Sequence, residues 1–350
     1  MQFRVVGLIG CGVLLSLCAS ALAEPDSASP AAREVHLQNI TQLTFGGQNA
    51  EAYYSADGSR LIFQSTPDSL PCDQIYTMSS SGGPAVLVST GRGRTTCSYW
   101  APDGLSIIYS STHLAGDDCP PPPDYSRGYV WAVYSSYDIF KAGPDGSEPV
   151  PLTRTPGYDA EAVYSHDGSL ILFTSSRDGD LELYTMRPDG QDVKRLTHRV
   201  GYDGGAFFSP GDSLICWRAG YPEDSAGQAD FQALLAQDLI RPTRLELFVM
   251  KADGTEQRQI TTLGGANFCP YFTPDGKSLI FSSNHHSESG REFDLFMVDL
   301  EGSRLEQITF TPEFDGFPMF SPDGTRLVWC SNRLGKVRGE TNVFVADWVK

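Results

Sequence analysis

The sequence predicts an all-β fold: a single six-bladed β-propeller built from four-stranded blades. Three observations lead to this prediction. A short turn ending in Asp-Gly occurs five times, and a sixth copy has its last two residues exchanged. Each copy lies between strands rich in aromatic and β-branched residues. The basic spacing between copies is near 46 residues, which is typical of a propeller blade.

The clearest repeat unit is 157–190, where three short strands are separated by Asp-Gly turns. Alternating strands bounded by such turns are a strong hairpin signal. The aspartates of the successive turns are Asp57, Asp103, Asp167, Asp212, Asp275 and Asp323. Their spacings are 46, 64, 45, 63 and 48 residues. The second and fourth units therefore each carry an insertion of 18 residues relative to the unit before them.

A fourth strand leads from each unit into the next, but only five such strands lie between the six units. Residues 37–44, LQNITQLT, have the pattern of a fourth strand, whereas the chain ends directly after a third strand. We therefore expect 37–44 to pair with the strand near residues 342–348 and to complete the last blade. This pairing would close the ring and remove its exposed edges.

The repeats resemble those of the TolB-like propeller family, whose pattern is roughly LT … SPDG … I-x-F-x-S-x-R-x-G … ELY-x-M-x-x-DG. The resemblance extends over residues 36–350 and implies the same fold. It does not select one function, because such propellers occur in binding proteins, in lyases and in non-catalytic domains of peptidases. The TolB protein also has an N-terminal α/β domain, for which we expect no room in this chain.

The first 23 residues predict a secretory signal peptide, and residues 24–35 a disordered lead-in. Arg4 precedes an apolar run, and Ala21-Leu22-Ala23 forms a cleavage site before Glu24. The apolar run is too short to span a membrane. Lipoprotein anchoring at Cys11 is the less favoured alternative. The sequence thus predicts a periplasmic or secreted protein with no transmembrane segment after the signal is removed.

The chain is acidic, with a formal net charge of −17. Such a charge argues against binding to nucleic acid or to anionic lipid. It also has a simple structural explanation, namely solubility. We expect a monomeric propeller, because one closed ring accounts for the whole length.

Six cysteines follow the signal peptide, and export implies an oxidising compartment. Cys216 and Cys330 lie within strands and are expected to be buried free thiols. One disulfide is expected among Cys72, Cys97 and Cys119. The pair Cys72–Cys119 is preferred, with Cys72–Cys97 as the alternative.

Propeller topology places both insertions on the face where the innermost strands begin, which we call the inserted face. The Asp-Gly turns lie on the opposite, turn face. The first insertion contains Tyr129, Trp131 and Tyr134, which either cover the rim or contact a partner. The second, with Phe231 and Leu234 at helical spacing, predicts a short amphipathic helix.

Polar residues cluster at the predicted channel mouth on the inserted face. They are Glu51, Asp159, Glu161, Arg177, Asp203, Arg218, His285, Asp315 and Arg333. One interpretation is that these residues tie blades together through ion pairs. The other is a polar pocket for a ligand or partner group, with a bound Ca²⁺ as a further alternative because this ion prefers several oxygen ligands.

The sequence contains no nucleophile elbow and no HExxH motif, and we assign no catalytic residue. The leading hypothesis is an exported propeller that binds a protein or a cell-envelope component at the inserted face and channel mouth. The first alternative is a hydrolase or lyase acting on saccharide or peptide at the mouth. The second is a purely structural subunit of an envelope complex.

Overall fold

The computed structural model describes residues 30–67, 69–312 and 314–350. It consists of six four-stranded antiparallel sheets arranged as a ring, with one small two-stranded sheet and few helical residues. The predicted all-β, six-bladed propeller is therefore confirmed. The predicted signal peptide and Cys11 lie outside the described residues.

Each blade runs from an innermost strand on the channel to an outermost strand on the rim. The first strand of the chain, β1 (Leu37–Gln42), is the outermost strand of blade 6. Blade 1 contains β2 (Gln48–Tyr54), β3 (Arg60–Thr66), β4 (Gln74–Ser79) and β5 (Val86–Leu87). Blade 2 contains β6 (Thr95–Trp100), β7 (Ile107–Ser111), β9 (Asp138–Ala142) and β10 (Val150–Pro151). The strand β8 (Trp131–Ala132) lies in the first insertion and is not part of this blade. Blade 3 contains β11 (Asp159–Tyr164), β12 (Ile171–Ser175), β13 (Glu182–Met186) and β14 (Lys194–Arg195).

The second half of the ring repeats this order. Blade 4 contains β15 (Tyr202–Phe208), β16 (Leu214–Gly220), β18 (Glu246–Lys251) and β19 (Arg258–Gln259), with β17 (Leu239–Ile240) in the second insertion. Blade 5 contains β20 (Asn267–Phe272), β21 (Ser278–Ser283), β22 (Asp294–Asp299) and β23 (Leu305–Gln307). Blade 6 is completed by β24 (Asp315–Phe320), β25 (Arg326–Ser331) and β26 (Asn342–Trp348).

The ring closes as predicted, through pairing of the first and last strands. β1 is the outermost strand of blade 6 and runs antiparallel to β26, with Leu37 opposite Trp348 and Gln42 opposite Phe344. Leu37, Trp329 and Phe344 belong to one buried cluster in this blade. Both ends of the described chain are thus held by one sheet.

The helical turn α1 (Pro30–Arg33) precedes β1. Glu34 is buried and forms an ion pair with Arg333 at 3.1 Å. This ion pair holds residue 34 against blade 6, and the boundary at residue 36 between lead-in and propeller stays a prediction.

The Asp-Gly turns owe their recurrence to a repeated set of hydrogen bonds. The Ser55 hydroxyl donates to the Asp57 carboxylate at 2.6 Å and accepts from the amide of Arg60 at 3.0 Å. The same contacts occur at the turns that begin with Ser165, Thr273 and Ser321. These side chains satisfy backbone groups that the tight turn leaves without strand partners.

The fourth turn, with Gly and Asp exchanged, has a different role. The Asp212 carboxylate accepts hydrogen bonds from the amides of His166 and Asp167 at 2.8 and 2.9 Å. The exchange therefore joins the turn of blade 4 to the turn of blade 3.

The two insertions were predicted as separate features of blades 2 and 4, but they pack together. β8 in the first pairs antiparallel with β17 in the second. The predicted helix is present as α2 (Ser225–Leu235), with Phe231 and Leu234 buried. We call this assembly of 112–137 and 220–245 the cap.

The predicted disulfide joins Cys72 and Cys119, and Cys97 is free. Cys216 and Cys330 are buried free thiols, as expected. Within the described part of the chain, no helix has both the length and the apolar composition that crossing a membrane requires.

Candidate functional site in the central channel

Every innermost strand is interrupted by a β-bulge. The bulged residue lies two places after a polar residue near the start of the strand, which we call the first-position residue. The first-position residues are Asn49, Thr95, Asp159, Asp203, Asn267 and Asp315. Strand register shifts at the bulge in all six blades. The bulged residues have left-handed φ values between 51° and 58°. A bulge re-aims a side chain, and bulges are common beside functional sites. The bulged residues are Glu51, Cys97, Glu161, Gly205, Cys269 and Phe317.

These six residues line one small chamber in the channel, with a volume of about 30 Å³. We call it the bulge chamber. It holds roughly one water molecule. Gly205 is required by close approach, because a Cβ at this position would lie 2.2 Å from the guanidinium of Arg218. Arg218 therefore occupies the space that a side chain of blade 4 would fill.

The strongest interaction in the bulge chamber joins blades 3 and 4. Arg218 donates to Glu161 at 2.5 Å and to the Tyr202 hydroxyl at 2.7 Å. Tyr202 in turn donates to Glu161 at 3.1 Å, and the amide of Gly205 donates to the same carboxylate at 2.8 Å. Glu161 and Arg218 thus compensate each other's charge, and Tyr202 and the Gly205 amide complete their hydrogen bonds.

Glu51 lacks such a partner. Its carboxylate faces the chamber, where the Cys97 thiol donates to it at 3.9 Å. Burial, followed by repulsion from Glu161, raises the pKa of Glu51 from 4.5 to about 7, although attraction to Arg218 acts in the opposite direction. Glu51 is therefore a partly buried carboxyl with a pKa near neutral pH.

Neither thiol of the chamber is prepared for nucleophilic attack. Burial and the negative charge of Glu51 raise the pKa of Cys97 well above its ordinary value. Burial also raises the pKa of Cys269. Because the thiolate is the reactive form, both cysteines are inert at neutral pH.

Aromatic side chains close the channel below the chamber. The ring of Tyr53 in blade 1 lies 5.6 Å from that of Phe207 in the opposite blade 4. Tyr99 lies 5.5 Å from Tyr53, and Tyr271 lies 5.2 Å from Phe207. These contacts separate the chamber from a larger cavity of about 240 Å³ on the turn face, which includes Trp100, Tyr164, Pro274 and Pro322 in its wall.

The cap covers the chamber from the inserted face. The Trp131 ring lies 5.4 Å from the Arg218 guanidinium and meets Phe268 edge-on at 6.1 Å. Tyr134 donates to the carbonyl of Pro121 at 2.6 Å, so it stiffens the cap from within. Tyr129 accepts a hydrogen bond from Trp131 and keeps 61% of its surface exposed.

The family profile described as the TolB beta propeller domain matches residues 241–345, which span the end of blade 4 and most of blades 5 and 6. The structure of a putative TolB from Agrobacterium tumefaciens aligns with a TM-score of 0.59 and 18% identity, covering 89% of this chain and 97% of that chain. Residues 241–345 thus resemble the TolB propeller family, and the chain as a whole has the fold of these propellers.

Two further structures share this propeller fold. TolB from Acinetobacter baumannii aligns with a TM-score of 0.55 and 18% identity, over 87% of this chain and 64% of that one. An oligogalacturonate lyase from Vibrio parahaemolyticus aligns with a TM-score of 0.52 and 13% identity, over 88% and 93% of the two chains. At these identities the likeness concerns the fold alone. The sequence has no match among curated proteins.

In this propeller, the nine residues predicted at the mouth divide into two sets. Glu51, Glu161 and Arg218 meet in the bulge chamber. The other six lie outside it. Of these, Asp159 and Arg177 form a pair at 2.9 Å within blade 3. Burial raises the pKa of Asp159.

Blades 4, 5 and 6 hold the remaining predicted residues. Asp203 accepts hydrogen bonds from Trp217 at 2.6 Å and Tyr221 at 2.5 Å. The Arg333 guanidinium lies 3.3 Å from Asp315 and also contacts Glu34. These contacts hold the start of each innermost strand to its own blade or to the preceding lead-in.

The last predicted residue, His285, lies in blade 5, where its ring packs on Phe296 with centroids 4.6 Å apart. Its Nδ1 is 2.9 Å from the Ser283 hydroxyl. The Ca²⁺ site considered at the mouth stays a prediction.

The site residues predicted from the sequence did not include Cys97, Gly205, Cys269 and Phe317, which line the chamber. Their common signal is a position: all four stand two places after the first-position residue of an innermost strand. Aligning the six copies on this position would have found the ring of side chains, although not its bulged backbone.

Proposed function

We propose that this TolB-like propeller is an exported binding protein, and that it engages a protein or cell-envelope component at the inserted face. The observation that carries the proposal is the distribution of exposed apolar side chains. Loops of the inserted face expose Phe45, Leu114, Tyr125, Tyr129, Val200, Leu334 and Val337. Exposed apolar groups on a rigid surface mark interaction sites when they are concentrated on one side.

Two groups of these side chains, which we call patches, each lie on one loop or on two linked loops of the inserted face. Leu114, Tyr125 and Tyr129 belong to the first insertion and are between 50% and 61% exposed. Phe45 lies in the crossover between blades 6 and 1, and Glu340 links this crossover to the loop of Val337 by accepting from the amides of Gly46 and Lys336. Blades 6, 1 and 2 are consecutive, so the two patches are neighbours on the ring.

The channel supports binding at the surface over chemistry inside it. The bulge chamber is too small for a sugar or a peptide bond with its flanking groups, and the cap covers it. Glu161 and Arg218 neutralise each other, and both thiols are protonated. The chamber residues therefore serve to fix blade positions beneath the binding face.

Alanine substitutions distinguish this proposal from a purely structural role. We expect Tyr125→Ala combined with Tyr129→Ala to reduce capture of the partner from an envelope extract at least tenfold, with an unchanged melting temperature. Leu105→Ala is the matched control, because Leu105 is 74% exposed on the turn face. Equal capture by the double variant and the control would contradict the proposal.

A second candidate, hydrolysis or cleavage of a saccharide or peptide at the mouth, is favoured by one observation. The pKa of Glu51, about 7, suits a general acid or base at neutral pH. A substrate could reach Glu51 only if the cap moved. Turnover of a polysaccharide or peptide library that disappears in Glu51→Gln, but not in Tyr129→Ala, would favour this candidate.

Export itself is part of the proposal and rests on the leader 1–23. Intact mass measurement of the protein from a periplasmic fraction should show loss of these residues and a chain beginning at Glu24. A mature chain that retains the leader would contradict this part of the proposal.

A further inference from the structure

A cluster of metal-binding side chains lies in blade 5, outside the bulge chamber. His286, Glu292 and Asp294 each offer one ligand atom, and these three atoms lie within 4.8 Å of one another. The Nε2 atom of His286 is 3.0 Å from Oδ2 of Asp294. All three residues belong to the loop between β21 and β22 or to the first position of β22.

Blade 3 shows one way in which this propeller neutralises a buried carboxylate at the position equivalent to Asp294. The first residue of the third strand in blade 3 is Glu182, and Arg195 on the neighbouring fourth strand pairs with it at 2.7 Å. Register places Arg195 opposite Tyr184, and Gln307 opposite Phe296. Gln307 is therefore the equivalent of Arg195, and the buried carboxylate of blade 5 lacks the arginine that blade 3 provides.

Asp294 is nevertheless held in a fixed orientation. Thr309 donates a hydrogen bond to its Oδ1 at 3.1 Å, and Gln307 donates to its Oδ2 at 2.9 Å. The residue is 1% exposed. A cation bound beside this buried carboxylate would compensate its negative charge, which neutral hydrogen-bond donors do not.

The opposite wall of the cluster is open to solvent. His286 is exposed, Glu292 is half-buried, and the ring of His286 is fixed by contact with Phe296 at 5.3 Å between centroids. A cation can therefore enter from the inserted face and meet the buried carboxylate last. In a tetrahedral site with ligand bonds of about 2.0–2.1 Å, a nitrogen and an oxygen ligand are about 3.3 Å apart. The observed 3.0 Å requires only a small opening.

We propose that His286, Glu292 and Asp294 bind a divalent transition-metal ion, with Zn²⁺ as the best-matched probe. An imidazole with two carboxylates is a mixed nitrogen and oxygen ligand set, which suits Zn²⁺. Ca²⁺ is a poor match because it prefers six to eight oxygen ligands. The site is separate from the partner surface proposed above, and its existence does not depend on that proposal.

The location suggests what bound metal does for the protein. Phe293 lies between two of the ligands, and its ring packs against Phe268 and Phe314 at 5.0 and 6.0 Å. Phe268 contacts Trp131 of the cap. A metal held by the flanking residues fixes Phe293, and so it stabilises the inserted face from the side of blade 5.

Calorimetric titration of untagged, EDTA-treated mature protein with ZnCl₂ tests the proposal. We expect one Zn²⁺ per chain with a Kd of micromolar or below, and a melting temperature that rises with Zn²⁺ concentration. His286→Ala and Glu292→Gln should each weaken binding at least tenfold, and CaCl₂ should give no saturable heat. Glu292 is on a half-buried loop, so its variant tests the site even if His286→Ala folds poorly.

His166→Ala is the matched control, because His166 pairs with Asp212 at 2.8 Å without a third ligand. Its affinity for Zn²⁺ should equal that of the unaltered chain. Absence of stoichiometric Zn²⁺ binding would overturn the proposal, as would full affinity in both His286→Ala and Glu292→Gln. Saturable Ca²⁺ binding lost in Glu292→Gln would overturn the assignment of the metal class.

Discussion

Replacing Glu51 with glutamine should make the stability of this propeller less sensitive to pH. Burial in the bulge chamber and repulsion from Glu161 raise the pKa of Glu51 from 4.5 to about 7 in the folded chain. Between these two values the folded chain retains a proton that the unfolded chain has released. The free energy of unfolding therefore falls as the pH rises through this window.

The size of the effect follows from the shift. A pKa difference of about 2.5 units corresponds to a loss of folding stability of about 3 kcal/mol, at 1.36 kcal/mol per unit. This penalty is fully present above about pH 7 and absent below pH 4.5. Glutamine cannot ionise, so Glu51→Gln removes the penalty at high pH only. We expect the stability of the variant relative to the unaltered chain to rise by about 2–3 kcal/mol between pH 5 and pH 8.

Urea unfolding followed by tryptophan fluorescence at pH 5, 6, 7 and 8 measures this difference. All other ionisable groups are the same in the two chains and cancel in the comparison. Asp57→Asn is the control, because hydrogen bonds from Ser55 and Ser59 lower the pKa of Asp57 to about 2 and its difference should be constant over this range. A difference for Glu51→Gln that is equally constant would refute the raised pKa assigned to Glu51.

Two further predictions concern the framework around the chamber. Gly205→Ala should lower the free energy of unfolding by at least about 2 kcal/mol, because the new Cβ meets Arg218. Gly104 has a similar φ and open space around it, so Gly104→Ala should cost only the backbone strain of about 1 kcal/mol. Equal losses in the two variants would contradict the steric explanation. Replacing Cys72 and Cys119 with serine should lower the free energy of unfolding by about 2–4 kcal/mol in urea titrations, and an unchanged midpoint under oxidising conditions would show that the disulfide is not formed.

The fold could be predicted because its determinants are local and repeated. The turn at Ser55 and Asp57 is specified by side chains that bond to the nearby backbone, and the same set recurs along the chain. Closure by β1 followed from counting strands against turns. No long-range information was needed for either conclusion.

The site could be predicted only in part, because a residue's position on a strand does not fix its partner. Asp159 and Glu161 are two residues apart, yet one pairs within blade 3 and the other reaches Arg218 of blade 4. The bulge between them determines this difference, and only Gly205 among the six bulged residues has the residue type that favours its backbone conformation. Pairing of the two insertions is a contact between distant segments, which neither segment encodes alone.

Site-specific photo-crosslinking tests the central claim, recognition at the inserted face, most directly. A photoreactive phenylalanine analogue would replace Tyr129 on the inserted face or Leu105 on the turn face, which are 61% and 74% exposed. After irradiation in the intact envelope, we predict a discrete crosslinked partner from position 129 and none from position 105. The same adduct from both positions, or an adduct from position 105 alone, would contradict the account.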